Sequence, residues 1–189
     1  MSPELARVVA FLEEIGLPVT VDPTLRGETF FERVQIEAGS LRVHPEAWVS
    51  DVLHEAGHLA VVPARWRHLI DGNVDEGIQR MFEEADLLDL PPDGPESRAL
   101  LQAGEAEATA WAWAAGKHLG FQDDIIIRDS DYNNEGPWIR RGLALDEYLG
   151  INGLCYAGFC GRGLLGRRKK LPIYPNLAFW LQDGPAPPP

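Results

Sequence analysis

Five consecutive residues, His54-Glu55-Ala56-Gly57-His58, carry the strongest chemical signal in the chain. On an α-helix four steps of about 100° return to nearly the same face, so His54 and His58 point the same way. Two neutral imidazoles placed like this converge on one cation, and zinc takes such nitrogens at about 2.0–2.1 Å. Glu55 is rotated by about 100° from His54, off the ligand face but close enough to hold a metal-bound water. A carboxylate there can take a proton from water that zinc has acidified, then return it to a leaving amine. The spacing points to zinc-dependent hydrolysis of a peptide bond. The alternative is a non-proteolytic zinc-binding regulatory or protein-interaction module. Pure zinc binding makes no demand on Glu55, so that residue favours hydrolysis.

A catalytic zinc takes three protein ligands and keeps one position for water. In an HExxHxxGxxH site the last two places would be Val61 and Ala64, which excludes that arrangement. An acid farther along must serve, and the choice lies among Asp71, Asp75, Glu76, Glu83, Glu84, Glu105 and Glu107. Glu105 is favoured. It shares a helical face with Ala108, Thr109, Ala112 and Ala115, whose small side chains would let its helix approach the HEAGH helix closely. Glu107 shares a face with Ala110, Trp111 and Ala114, where the indole obstructs close approach. Glu107 and Glu76 stay open as alternatives.

The elements that must position these residues are legible in outline. Ser2 caps a first helix with Pro3 at its first position; Leu5, Val8, Val9, Leu12 and Ile15 form its apolar stripe, and Gly16 stops it. Val19 to Val21 is a short strand. Phe30 to Ile36 and Leu41 to Val43 are β-rich runs joined at Ala38-Gly39-Ser40 as a hairpin. The HEAGH helix starts at Pro45-Glu46 and ends before Pro63. Its buried stripe is Val49, Val52, Leu53, Ala56 and Ala60, and Gly57 leaves room beside the metal for another backbone or a substrate. A helix follows over Glu76 to Leu87, then a break at Leu90 to Pro95. One long alanine-rich helix is expected from Glu96 to His118. Ile125 to Ile127 reads as a strand, Asp129 to Gly136 as a polar loop, and Trp138 to Tyr156 as partly helical. Residues 1–183 form one α+β domain, with helices packed on a small, mostly antiparallel sheet, and residues 184–189 a disordered tail.

The order apolar helix, hairpin, HExxH helix resembles the gluzincin-type metallopeptidases, most of all the compact ImmA/IrrE group. That group follows HExxH with a helix of the form E-x-E-A-[N/D]-x-F-A. Here the segment reads Glu105-Ala106-Glu107-Ala108-Thr109-Ala110-Trp111-Ala112. The resemblance implies a zincin-like fold, bound Zn²⁺ and Glu105 as the third ligand. It implies a peptide or protein substrate, with narrow regulatory cleavage and broad degradation equally open. Thr109 departs from the Asn or Asp that supports a zinc-binding histidine in the group, leaving its hydroxyl to do so. The gap from His58 to Glu105 is long for compact members. The likeness covers about the first two-thirds of the chain and fades after His118.

Composition limits the rest. Of 189 residues, 17 are Lys or Arg and 29 Asp or Glu, a formal charge of -12, which argues against nucleic acid as a partner. No apolar run approaches the roughly 20 residues of a membrane span. The start, Met1-Ser2-Pro3-Glu4, does not read as a signal peptide, and two cysteines, Cys155 and Cys160, make no disulfide framework, so a cytoplasmic location with free thiols is expected. Gly161 to Gly166 matches GxGxxG without a βαβ unit to complete it, and the basic run Arg167 to Lys170 reads as a solvated turn. Asp129 to Asn133 begins like a calcium loop but has Asn134 and Arg140 at the positions that need Gly and Glu. A hydrogen-bond donor to a developing oxyanion could be Tyr132, Tyr148 or Tyr156.

Overall fold

The first helix begins as its sequence requires: the Ser2 hydroxyl accepts from the Leu5 N–H at 3.1 Å, and Pro3 occupies a position where no intrahelical N–H is needed. The computed structural model describes residues 1–26, 32–86 and 88–182. Phe30 and Phe31 of the expected second strand, and the expected tail, lie outside these residues. The order is α1 (Pro3–Glu14), β1 (Val19–Val21), β2 (Val34–Glu37), β3 (Ser40–Val43), α2 (Val49–Val61), α3 (Ala64–Arg67) and α4 (Val74–Asp86). Then come α5 (Pro95–Leu100), α6 (Glu105–His118), α7 (Asp123–Ile126), α8 (Asp131–Asn134), α9 (Gly136–Ala144), α10 (Leu149–Ala157) and α11 (Gly163–Arg168). The α+β class stands. No helix among the described residues is long and apolar enough to cross a membrane.

The sheet has three strands in the order β1-β3-β2. The hairpin β2–β3 pairs antiparallel with Ile36 opposite Leu41, but β1 joins β3 in parallel with Val19 opposite Leu41. The sheet is therefore mixed rather than mostly antiparallel. A two-residue turn forces the hairpin's direction, whereas β1 enters from α1 through a reversal at Gly16 that nothing local obliges to run either way. Val34, Ile36, Leu41 and Val43 turn inward on one face and meet α1 and α2 through Leu5, Leu12, Val52 and Leu59 in a common core.

The central contact is α2 against α6. Both helices are almost wholly buried, and a Cβ built on Gly57 would stand 2.4 Å from the Ala108 carbonyl oxygen. Gly57 is thus glycine because the α6 backbone passes where a side chain would be. Ala108, Thr109, Ala112 and Ala115 supply the small face on the other side. We predict that Gly57→Ala costs about 1–3 kcal/mol of stability by overpacking, measurable by urea unfolding. A cost below a few tenths would show that the helices can separate freely.

Three expectations about elements are corrected. α2 begins at Val49 and not at Pro45, because residues 44–47 close a turn in which the Ala47 N–H meets the His44 carbonyl at 2.9 Å. The long helix expected over 96–118 is two helices. The chain breaks at residues 101–104, where Gly104 is extended (φ -94°, ψ 178°), and α6 starts afresh at Glu105. The Glu107 carboxylate accepts from the Gly104 N–H and from its own, which gives orphan donors of the helix start a partner. Ile125 to Ile127 is no strand: α7 turns through it, with Ile126 buried against Gly116 of α6, so its apolar content serves packing rather than pairing.

Candidate metal centre

α2 carries His54, Glu55 and His58, and its apolar stripe fixes the rotation of the helix so that they open on a cleft. Val52, Leu53, Ala56, Leu59 and Ala60 are fully buried. The break before α6 supplies what the motif lacks. As the first residue of a helix, Glu105 is not walled in by a preceding turn, and its carboxylate reaches across to both rings. Its Oε1 lies 3.2 Å from His54 Nε2 and its Oε2 3.1 Å from His58 Nε2, while the two Nε2 atoms are 3.2 Å apart. His54, His58 and Glu105 therefore lie close enough to bind one metal ion. A tetrahedral cation with bonds of about 2.0–2.1 Å separates its ligand atoms by about 3.3–3.4 Å, close to the 3.2 Å between the two nitrogens, and Glu105 has an oxygen within reach of each ring. The donor set, two imidazoles and a carboxylate, fits zinc.

The electrostatics are those of a site built around positive charge. Burial disfavours the charged form of His54, but its hydrogen bond to Glu105 together with the charges of Glu105, Glu55 and Asp51 outweighs this and raises its pKa. Burial also works on Glu105, whose carboxyl is nonetheless held far below the usual carboxylate range by the two histidines. Glu55 lines the same cleft, and there burial pushes its carboxyl upward despite the histidines. A carboxylate made more basic in this way is a better proton acceptor near neutral pH.

One arm of the site comes from far along the chain. The Tyr132 hydroxyl lies 3.1 Å from His54 Nδ1 and 2.8 Å from Thr109 Oγ1. A His54 ring that gave its Nε2 lone pair to a metal would carry its proton on Nδ1 and donate it to Tyr132, leaving the tyrosine hydroxyl to donate onward to Thr109. Thr109 reaches His54 through the Tyr132 hydroxyl and not directly. Tyr132 sits on α8, where Tyr132, Asn133 and Asn134 all have positive φ (53°, 57° and 70°). Such a run of non-glycine residues is strained, and asparagine tolerates it best. The turn is clamped from below. Arg128 donates to Asp51 at 2.6 Å and to Asp131 at 2.9 Å, and the Arg128 amide donates to Asp131 at 2.7 Å. Asp51, one turn before His54 on α2, is itself buried, and burial raises its carboxyl against the pull of Arg128. Tyr132→Phe is expected to weaken zinc binding by about 10–100-fold, read by competition with a chelating dye; unchanged affinity would remove Tyr132 from the site.

The other sequence candidates are elsewhere. Glu107 points away from the triangle, toward Gly104 and toward Gly153 of α10, where an added Cβ would stand 1.9 Å from its Oε1. Asp71 accepts from the Ala38 N–H, Glu76 pairs with Asn73 and Arg80, and Glu83 with Gln79. His118 packs on Phe11 and Trp180. Trp111 and Trp113 belong to the core, and Tyr156 is exposed beside Arg98. His58 Nδ1 is buried with no hydrogen-bond partner among the described residues, so packing and the Nε2 contacts to Glu105 and His54 orient that ring. Sequence reasoning missed Arg128 and Asp51. The one signal for them was an acid placed one turn ahead of His54 on the otherwise apolar α2.

Comparison with known families, curated proteins and solved structures gives no match.

Proposed function

We propose that this protein is a zinc-dependent metallopeptidase of gluzincin type, with His54, His58 and Glu105 as ligands and Glu55 as general base. The observation that carries the reading is the meeting of two imidazole nitrogens, 3.2 Å apart, with the Glu105 carboxylate, one oxygen 3.2 Å from His54 and the other 3.1 Å from His58, beside a second carboxylate, Glu55, outside that group. Zinc bound there would supply a Lewis acid that acidifies water and polarises an amide carbonyl. Glu55 takes the proton of the attacking water and passes it to the departing amine. Tyr132 and Thr109 would favour the His54 tautomer that presents the Nε2 lone pair to a metal.

The cleft suits a chain-like substrate. It encloses about 1000 Å³ between Trp48, the two histidines, Arg128 and Tyr132. Beyond the Trp48–Arg128 stack, in which the guanidinium lies 4.8 Å from the ring centre, it adjoins a hollow of about 500 Å³. Asp51, Glu55, Glu105 and Asp131 outnumber the cations on its walls, which favours a neutral or basic peptide. The test is cleavage of an unbiased peptide mixture, with chelator and after zinc is restored. The expected result is a set of cuts that disappears with chelator and returns with zinc. Zinc-loaded protein that cuts nothing would favour the second reading, a zinc-binding interaction module on the same scaffold.

A further inference from the structure

Cys155 lies in the last turn of α10, and Cys160 follows five residues later, past the end of the helix. Gly158 closes α10 in the left-handed conformation at φ 95°. Its N–H bonds to the Cys155 carbonyl at 3.3 Å, and the Phe159 N–H to the Leu154 carbonyl at 2.9 Å. This pair of bonds is the Schellman closure, which reverses the chain and returns residue 160 to the helix it has just left. The segment is pinned on its outer side as well. The Ala178 N–H bonds to the Phe159 carbonyl at 2.7 Å, and the Gly161 N–H to that of Pro172 at 2.8 Å. Backbone anchored on both sides thus holds the two free sulfurs 3.3 Å apart. A disulfide bond of about 2.05 Å needs them to approach by little more than about 1 Å.

Access differs between the two. Cys160 is fully buried, whereas Cys155 is partly exposed. Arg162 bridges the Asn152 side chain and the Asp146 carbonyl beside them. The hydrogen bond from Cys160, with help from the Arg162 guanidinium, lowers the Cys155 thiol against the effect of burial, while its partner is pushed up. The exposed sulfur is thus the more nucleophilic at neutral pH, and the buried one is placed to follow it.

We propose that Cys155 and Cys160 form a modification site for low-molecular-weight disulfides of the oxidised glutathione class, which convert the pair into an intramolecular disulfide. The Cys155 thiolate attacks one sulfur of the external disulfide. A mixed disulfide forms, the external S–S bond breaks, and one thiolate leaves. Cys160 then loses its proton to that thiolate and attacks the Cys155 sulfur, releasing the second external thiolate. Two protein thiols are oxidised and one external disulfide is reduced to two thiols. The site bears on the metal centre through α10. Gly150 of that helix packs on the Ala106 carbonyl and Gly153 on Glu107, both in the turn that begins with Glu105.

The experiment is incubation of the full chain with oxidised glutathione, alkylation of remaining thiols under denaturing conditions, and peptide mapping by mass spectrometry. The expected product is monomeric, lighter by two hydrogen atoms, and contains a Cys155–Cys160 link that dithiothreitol reverses. Cys160→Ser is expected to stop at a glutathione adduct on Cys155. Wild type that keeps two alkylatable thiols, accumulates the adduct without the internal link, or dimerises through its cysteines would overturn the proposal. The mapping on wild type stands even if the variant fails to fold, and none of these outcomes depends on peptidase activity.

Discussion

Glu55→Gln is expected to lower amide hydrolysis by about 10²–10⁴-fold, or about 3–5.5 kcal/mol of barrier, with zinc content unchanged. The substitution keeps the side chain's shape and removes only its basicity. Glu55 is not part of the ligand triangle, so the metal should stay. A carboxylate can accept a proton and part with it again, and an amide can do neither. Because proton transfer belongs to the transition state, the loss should fall on kcat and leave KM nearly untouched. Steady-state kinetics on any peptide that wild type cleaves will show the split. Equal rates for both proteins would remove Glu55 from the chemistry.

His58→Ala is expected to cost more zinc affinity than the roughly 10–100-fold that loss of an outer partner costs, because it deletes a ligand. His58 is 5% exposed, and its ring meets His54 edge-on with centroids 4.8 Å apart. Its loss leaves one imidazole and a mostly exposed carboxylate, too few donors to hold zinc against solvent. The control is His118→Ala, since that ring packs on Phe11 and Trp180 away from the cleft and should leave zinc binding intact. Metal analysis after gel filtration distinguishes the two. Full zinc occupancy in His58→Ala would mean that the ion sits elsewhere.

The parts of this site that local rules govern were readable in the sequence, and the parts that depend on distant contacts were not. His54, Glu55 and His58 are set by one helix with one apolar stripe, and periodicity finds both. Glu105 was legible because the small residues on its face, Ala108 to Ala115, declare a close helix contact before any partner is known. The reason it reaches the histidines was not legible. A lone Gly104 costs a helix only about 1 kcal/mol, so the alanine-rich pattern runs through it on paper. In the fold the chain breaks there, because Glu107 turns back to cap the new helix and α10 packs its glycines against that turn.

Tyr132 illustrates a different limit. Among the three tyrosines considered for the cleft, nothing local singled it out, since its bond to His54 joins residues 78 apart. The left-handed turn that presents it is held by Arg128, which falls in none of the elements read from the sequence, and Asp131, which reads only as part of a polar loop. Asn133-Asn134 was the available hint of positive φ. The parallel pairing of β1 is nonlocal in the same sense, while the β2–β3 hairpin was found from its turn. Ile125 to Ile127 misled because a short β-branched run looks the same whether it pairs with a strand or packs on a helix.

The most direct test of the metal centre is anomalous diffraction on zinc-loaded crystals, recorded on both sides of the zinc absorption edge. The account predicts one strong peak within about 2.0–2.2 Å of His54 Nε2, His58 Nε2 and a Glu105 carboxylate oxygen. Absence of a peak at this triangle, or a peak there with Glu105 turned to solvent, would contradict it.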